Sequence, residues 1–202
     1  LGHFQTFERG VQDHRTIRDV EPVSLSPLAR AMLKGTPFCS RRSLLKKYIR
    51  NRTINRECRV SAKQYRRYFK FAFVRNSWDR VFSWYSNVMR DECHQCELGV
   101  APDCSFDEFL HLHLNQWALR PQTWWVRNHS GRIPLDFIGR YESLQTDFSR
   151  VCDVLGLADR ELPTLVASDG GSYVQHYENV GRNLVGDKYA EEISLFGFTY
   201  GE

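Results

Sequence analysis

The stretch from Lys70 to Tyr85 (KFAFVRNSWDRVFSWY) limits what this chain can fold into more than any other. Lys70 to Val74, with its Phe-Ala-Phe-Val, is a short apolar run of the kind that forms a buried strand. Arg75, Asn76 and Ser77 interrupt it, and a helical pattern follows. Trp78, Val81, Phe82, Tyr85, Val88 and Met89 fall on one stripe, with Asp79, Arg80, Ser83, Asn87 and Arg90 on the polar side. A strand that turns directly into a helix gathers free backbone N–H groups, a favourable helix dipole and a forked guanidinium at one point. That combination suits an anion at the carboxyl end of a strand. Ser83, eight residues beyond Arg75, lies on the polar side and is in place to donate to the same anion. The same residues also suit an arginine that pairs with a carboxylate or caps a helix, beside a serine that faces water.

Further along, Ser40 to Ile49 reads as a helix and Asp91 to Cys104 as a loop. Ser105-Phe106-Asp107-Glu108 is a capping box opening a helix to about Asn115. Leu135 to Arg140 reads as a second buried strand, Thr146 to Leu155 as a helix closed by Gly156, Pro163 to Tyr177 as a loop, and Gly186 to Phe196 as a final helix. Strand, helix, strand, helix in this order predicts an α/β fold with a mainly parallel central sheet flanked by helices. At 202 residues, 42% hydrophobic and 26% charged, the chain suits a single domain with its own core.

The segment FKFAFVRNSWDRVFSWY resembles the 3′-phosphate-binding segment of sulfotransferases that use 3′-phosphoadenosine 5′-phosphosulfate (PAPS), particularly the bacterial and carbohydrate sulfotransferases. Asp136 to Leu144 (DFIGRYESL) is similar to that family's second signature, Arg120-Pro121-Gln122 to the Pro-Gln that precedes it, and Ile193 to Tyr200 to its end. The resemblance runs from about Tyr68 to Glu202; residues 1–67 match less well. It implies a P-loop-type sulfotransferase fold, with Arg75 and Ser83 on the 3′-phosphate, Tyr141 against the adenine, and Glu142 in a structural role such as capping the next helix. Ser77 stands where the family usually carries Pro, and as a cap the exchange is mild. The implied reaction moves a sulfo group from PAPS to a hydroxyl, on a carbohydrate or related small molecule, and releases 3′,5′-bisphosphoadenosine (PAP). The implied base is a His or Glu; His14 is the candidate, because it lies upstream where members often carry one. Lys34 to Ser40 (KGTPFCS) is the nearest candidate for the loop that cradles the 5′ end of the donor. A non-catalytic nucleotide- or polyanion-binding module is the alternative.

A net charge of +4 fits an anionic small ligand or polyanionic acceptor and falls short of a nucleic-acid footprint. The basic residues clustered from Arg41 to Arg59 read as a solvated helix face or as an acceptor-docking patch. Cys93, Cys96 and Cys104 followed by His111 or His113 have the composition of a zinc site, a disulfide or free thiols. His111 and His113 are two apart on a helix and face different ways, so no metal site is assigned. Trp117, Trp124 and Trp125 read as core, with a sugar-binding groove as the alternative. No GxxxxGK[ST] and no nucleophile-elbow pattern occurs, which disfavours kinase-like and hydrolase chemistry. No apolar run approaches a membrane span and no signal-peptide pattern opens the segment, which begins at Leu1. A bacterial-type cytosol is the expected compartment, with the Golgi lumen as the alternative.

Overall fold

A computed structural model describes residues 16–22, 60–128, 130–158, 161–162 and 172–202. His14, the Lys34–Ser40 loop candidate, the helix expected over Ser40–Ile49 and the basic cluster up to Arg59 lie outside the described residues. The chain divides into two compact units, Leu1–Lys70 with Trp125–Pro134, and Phe71–Trp124 with Leu135–Glu202. In the first, α1 (Ile17–Val20) begins at Thr16, whose backbone N–H and hydroxyl donate to Asp19 Oδ2 at 2.9 and 2.7 Å. α2 (Ala62–Arg67) begins with a capping box between Ser61 and Gln64.

The second unit is built on two parallel strands, β1 (Phe71–Val74) and β2 (Phe137–Arg140), with Phe71 opposite Phe137 and Val74 opposite Arg140. Both strands and their parallel pairing follow the sequence reading, but they are less buried than expected: Val74 and Gly139 are the buried residues and Phe71 is exposed. Among the described residues the sheet has these two strands. Gly139 makes the pairing possible, because a Cβ there would lie 2.5 Å from the Phe73 ring and 3.1 Å from Asp147 Cβ. The helix after β1, α3 (Ser77–Met89), buries Trp78, Val81 and Val88 along the expected stripe, with Phe82, Tyr85 and Met89 packed beside them.

Two expectations are corrected. Asp91 to Cys104 is not all loop: α4 (Glu92–Leu98) forms there, with Asp91 Oδ1 accepting from the Cys93 and His94 N–H groups at 2.9 and 3.3 Å. It gave no apolar signal because Gln95 is its one buried residue. α5 (Phe106–His113) then starts at the expected capping box. The short helix α6 (Gln122–Val126) precedes β2, and α7 (Leu144–Leu155) follows it, closed at Gly156. The final helix is two, α8 (Asn179–Lys188) and α9 (Ala190–Phe196), broken at Tyr189. Tyr189 is almost wholly buried and its hydroxyl donates to Leu119 O at 2.6 Å. Gly181 weakens the helical signal of α8, yet a Cβ there would lie 2.6 Å from Leu110 Cδ1, so glycine lets α8 pack on α5 without displacing the tip of that leucine.

α3 packs against α8, α4, α5 and the 3₁₀ turn Tyr173–His176, and α7 covers β2. Trp78 Nε1 donates to Arg182 O at 2.9 Å, and the Tyr177 hydroxyl to Trp78 O at 2.9 Å. Burial raises the Tyr177 pKa far above its ordinary value, so the hydroxyl stays a donor.

The polar centre of this unit is Glu192, which has no exposed surface. It accepts from Ser77 Oγ at 2.7 Å, from Gln122 Nε2 at 3.2 Å and from the Gln122 backbone N–H, with Arg80 Nη2 at 3.7 Å. Removing one member of a buried charged group leaves the others unpaired, which costs about 3–5 kcal/mol. Glu192→Ala is therefore expected to lower the stability of the folded chain by about that amount, read as a fall in the urea midpoint with an unchanged slope.

Candidate functional site

At the end of β1 the chain is held by a side chain from far along the sequence. Gln122 Oε1 accepts from the Arg75 backbone N–H and Gln122 Nε2 donates to Arg75 O, both at 2.8 Å, in the manner of a neighbouring strand. Asn76, fully buried, caps α3 by accepting from Trp78 N at 3.1 Å and donates through Nδ2 to Thr199 O at 2.7 Å. The cap is thus Asn76 and not Ser77, whose hydroxyl goes to Glu192. A proline at that position would remove this donor from a buried carboxylate.

The Arg75 guanidinium is fixed on three sides. Nε donates to Asp79 Oδ2 at 2.5 Å, Nη1 donates to Ser83 Oγ at 2.8 Å, and the Tyr141 ring centre lies 4.2 Å from Cζ. Asp79 and Ser83 sit one and two turns into α3 on its polar side, and Tyr141 opens the 3₁₀ turn that follows β2. The structure therefore brings together Arg75, Ser83 and Tyr141. Tyr141 remains 45% exposed, so its ring has surface left for a ligand.

Around this core, the Glu142 carboxylate accepts from the Asn76 backbone N–H at 2.5 Å. It does not cap the following helix, as the sequence suggested; that turn is held instead by Asp147. Asp147 Oδ2 accepts from Arg140 N at 2.8 Å and Ser143 Oγ at 2.9 Å, while Oδ1 takes Arg150 Nη1 at 2.9 Å. Arg140 forks onto Glu202 at 2.6 and 3.1 Å.

Sequence reasoning missed Asp79 as the partner of Arg75, although its i,i+4 spacing was a signal. It had no signal for Glu192, which meets Ser77 across 115 residues. Of the other candidates, Cys93 and Cys96 are exposed and Cys104 buried, all as free thiols. Among the described residues no group of three or more His, Cys, Asp or Glu is placed to hold a metal ion. Trp117 is not core: it is 45% exposed, with Trp124 edge-on to it at 6.2 Å and Arg120 stacked 4.6 Å over Trp124.

A model of the sulfotransferase family matches residues 29–199. The chain belongs to the sulfotransferase family. The match begins well upstream of Tyr68, so it takes in the Lys34–Ser40 segment as sequence. An uncharacterized protein of Archaeoglobus fulgidus is 34% identical over 103 residues, which are 50% of this chain and 78% of that protein. No solved structure matches the chain. Family membership makes the chain a transferase by type, and among its described residues no helix is long and apolar enough to cross a membrane.

Within this member of the sulfotransferase family, the turn that carries Tyr141 is held by the Asp147 carboxylate. The Arg140 backbone N–H holds its carboxyl below the usual carboxylate range against the opposing effect of burial, aided by the Ser143 hydroxyl and the Arg150 and Arg140 charges. A folded-state pKa below the unfolded one adds stability above pH ~4 and loses it as pH falls through the folded value. Wild type is expected to exceed Asp147→Asn in stability most at neutral pH, with the gap closing below pH ~4. Urea midpoints measured across that range check this; a gap independent of pH would contradict it.

Proposed function

We propose that this sulfotransferase moves a sulfo group from PAPS to a hydroxyl of a carbohydrate or related small molecule, with residues 1–202 acting as one P-loop-type domain. The observation that carries the reading is the meeting of Arg75, Ser83 and Tyr141, from two separate signature segments, at the carboxyl ends of two parallel strands. In this proposal Arg75 and Ser83 hold the 3′-phosphate of the donor with charge-assisted hydrogen bonds, and the exposed face of Tyr141 stacks on the adenine. Lys34 to Ser40 is the proposed cradle for the 5′ end.

The chemistry is an in-line displacement. The acceptor oxygen forms a bond to sulfur while the bond from sulfur to the 5′-phosphate oxygen breaks, and its electron pair leaves with PAP. His14 is the proposed base that takes the acceptor proton. Cys93, Cys96, Cys104 and Cys152 carry free thiols, which suits the reducing, bacterial-type cytosol proposed here over a Golgi lumen.

Incubating the full chain with sulfur-labelled PAPS, a chelator and a panel of saccharides tests the reading. Label is expected to appear in a saccharide ester, one for each PAP released, with the rate falling at least about 30-fold in Arg75→Ala, as loss of a charge-assisted phosphate contact implies. PAPS that binds without ever transferring its label would contradict it and leave a binding module.

A further inference from the structure

Tyr141 is held over Arg75 without help from its own hydroxyl, which makes no hydrogen bond among the described residues. The contact that ties its turn to the end of β1 comes from the next residue. Glu142 Oε1 accepts from Asn76 N at 2.5 Å across 66 positions of sequence. That N–H precedes α3 and has no helical partner, so a carboxylate is the natural acceptor for it at the positive end of the helix. Only the side chain of Glu142 is shielded, at 21% exposed, and its second oxygen stands 4.0 Å from Arg140 Nε. Asn76 is itself fixed by its bond to Thr199 O, so the carboxylate is anchored to a rigid point.

We propose that Glu142 is a positioning residue: by gripping the Asn76 N–H it sets the height of the Tyr141 ring above the Arg75 guanidinium, and with it the placing of the exposed ring face that would stack on the donor adenine. Its value for the site rests on the reading of Arg75 and Tyr141 as nucleotide contacts; its effect on the ring does not. A group that supports a binding residue in this way acts through geometry rather than contact, so its removal matters only while the ring is there to be placed.

The test uses the full chain and two readouts. The first is the NMR resonance of Arg75 Nε–H without ligand, which the Tyr141 ring current displaces. In Glu142→Ala and Glu142→Asp, which cannot reach Asn76, this resonance is expected to move toward that of an unstacked arginine; in Glu142→Gln, which keeps an acceptor at the same reach, it stays. The second is PAP affinity by calorimetry, expected to weaken about tenfold in Glu142→Ala, to stay within about twofold in Glu142→Gln, and to be insensitive to Glu142→Ala once Tyr141→Ala is present. An unmoved Arg75 resonance in Glu142→Ala, or an equal loss of affinity with and without the Tyr141 ring, would overturn the proposal. Should Glu142→Ala fail to fold, the Asp and Gln variants make the same comparison. Wild type that takes up no PAP would sink the nucleotide reading alone, with the resonance still deciding the role of Glu142.

Discussion

The buried carboxylate of Glu192 holds together the segments on which everything at the Arg75 end of the unit depends. Ser77 at the start of α3, Gln122 at the start of α6 and Arg80 one turn into α3 all direct polar groups at it from different parts of the chain. A carboxylate without exposed surface is tolerable only when its lone pairs are taken up, and here they are. The consequence is local order. Gln122, fixed by Glu192 through both its backbone N–H and its Nε2, uses the same side-chain amide to bond the N–H and the carbonyl of Arg75, so the residue after β1 is held on both sides as one inside a sheet is.

From that fixed backbone the Arg75 side chain reaches a second ring of contacts. Asp79 takes Nε, Ser83 takes a hydrogen from Nη1, and Tyr141 covers the flat face. Such an arginine gives up little further rotamer freedom when a ligand arrives, which is the advantage of preorganisation. The arrangement also sets a limit. Asp79 offsets part of the Arg75 charge, so in the proposed reading selectivity for an anion would rest on directed hydrogen bonds and on stacking more than on net charge.

Much of this was legible in the sequence because it is local. The run FAFV followed by RNS and a 3.6-residue apolar stripe specified β1, its turn and α3, and the resemblance carried by Arg75, Ser83 and Tyr141 named three residues that the fold brings to one spot. What stayed hidden depends on long-range partners. Nothing in a lone Glu192 on a helix marks it as buried, since its need for Ser77, Gln122 and Arg80 exists only after folding. Glu142 read as a cap for its own helix because sequence proximity favours local partners; the Asn76 N–H lies 66 residues away and offered a better-placed donor. The same limit explains α4, whose burial of Gln95 alone leaves no hydrophobic period, and the break at Tyr189, a residue whose hydroxyl partner Leu119 lies 70 positions away.

In the function proposed above, Arg75 grips the 3′-phosphate of a bisphosphorylated adenosine. Calorimetric titration of wild type and Arg75→Ala with PAP and with adenosine 5′-phosphate tests it most directly. Wild type is expected to favour PAP, and the substitution to cost about 2–3 kcal/mol for PAP while leaving the monophosphate nearly unchanged, since only PAP offers the phosphate that Arg75 would hold. An equal loss for both nucleotides, or a wild type that does not distinguish them, would contradict the assignment of Arg75 to the 3′-phosphate.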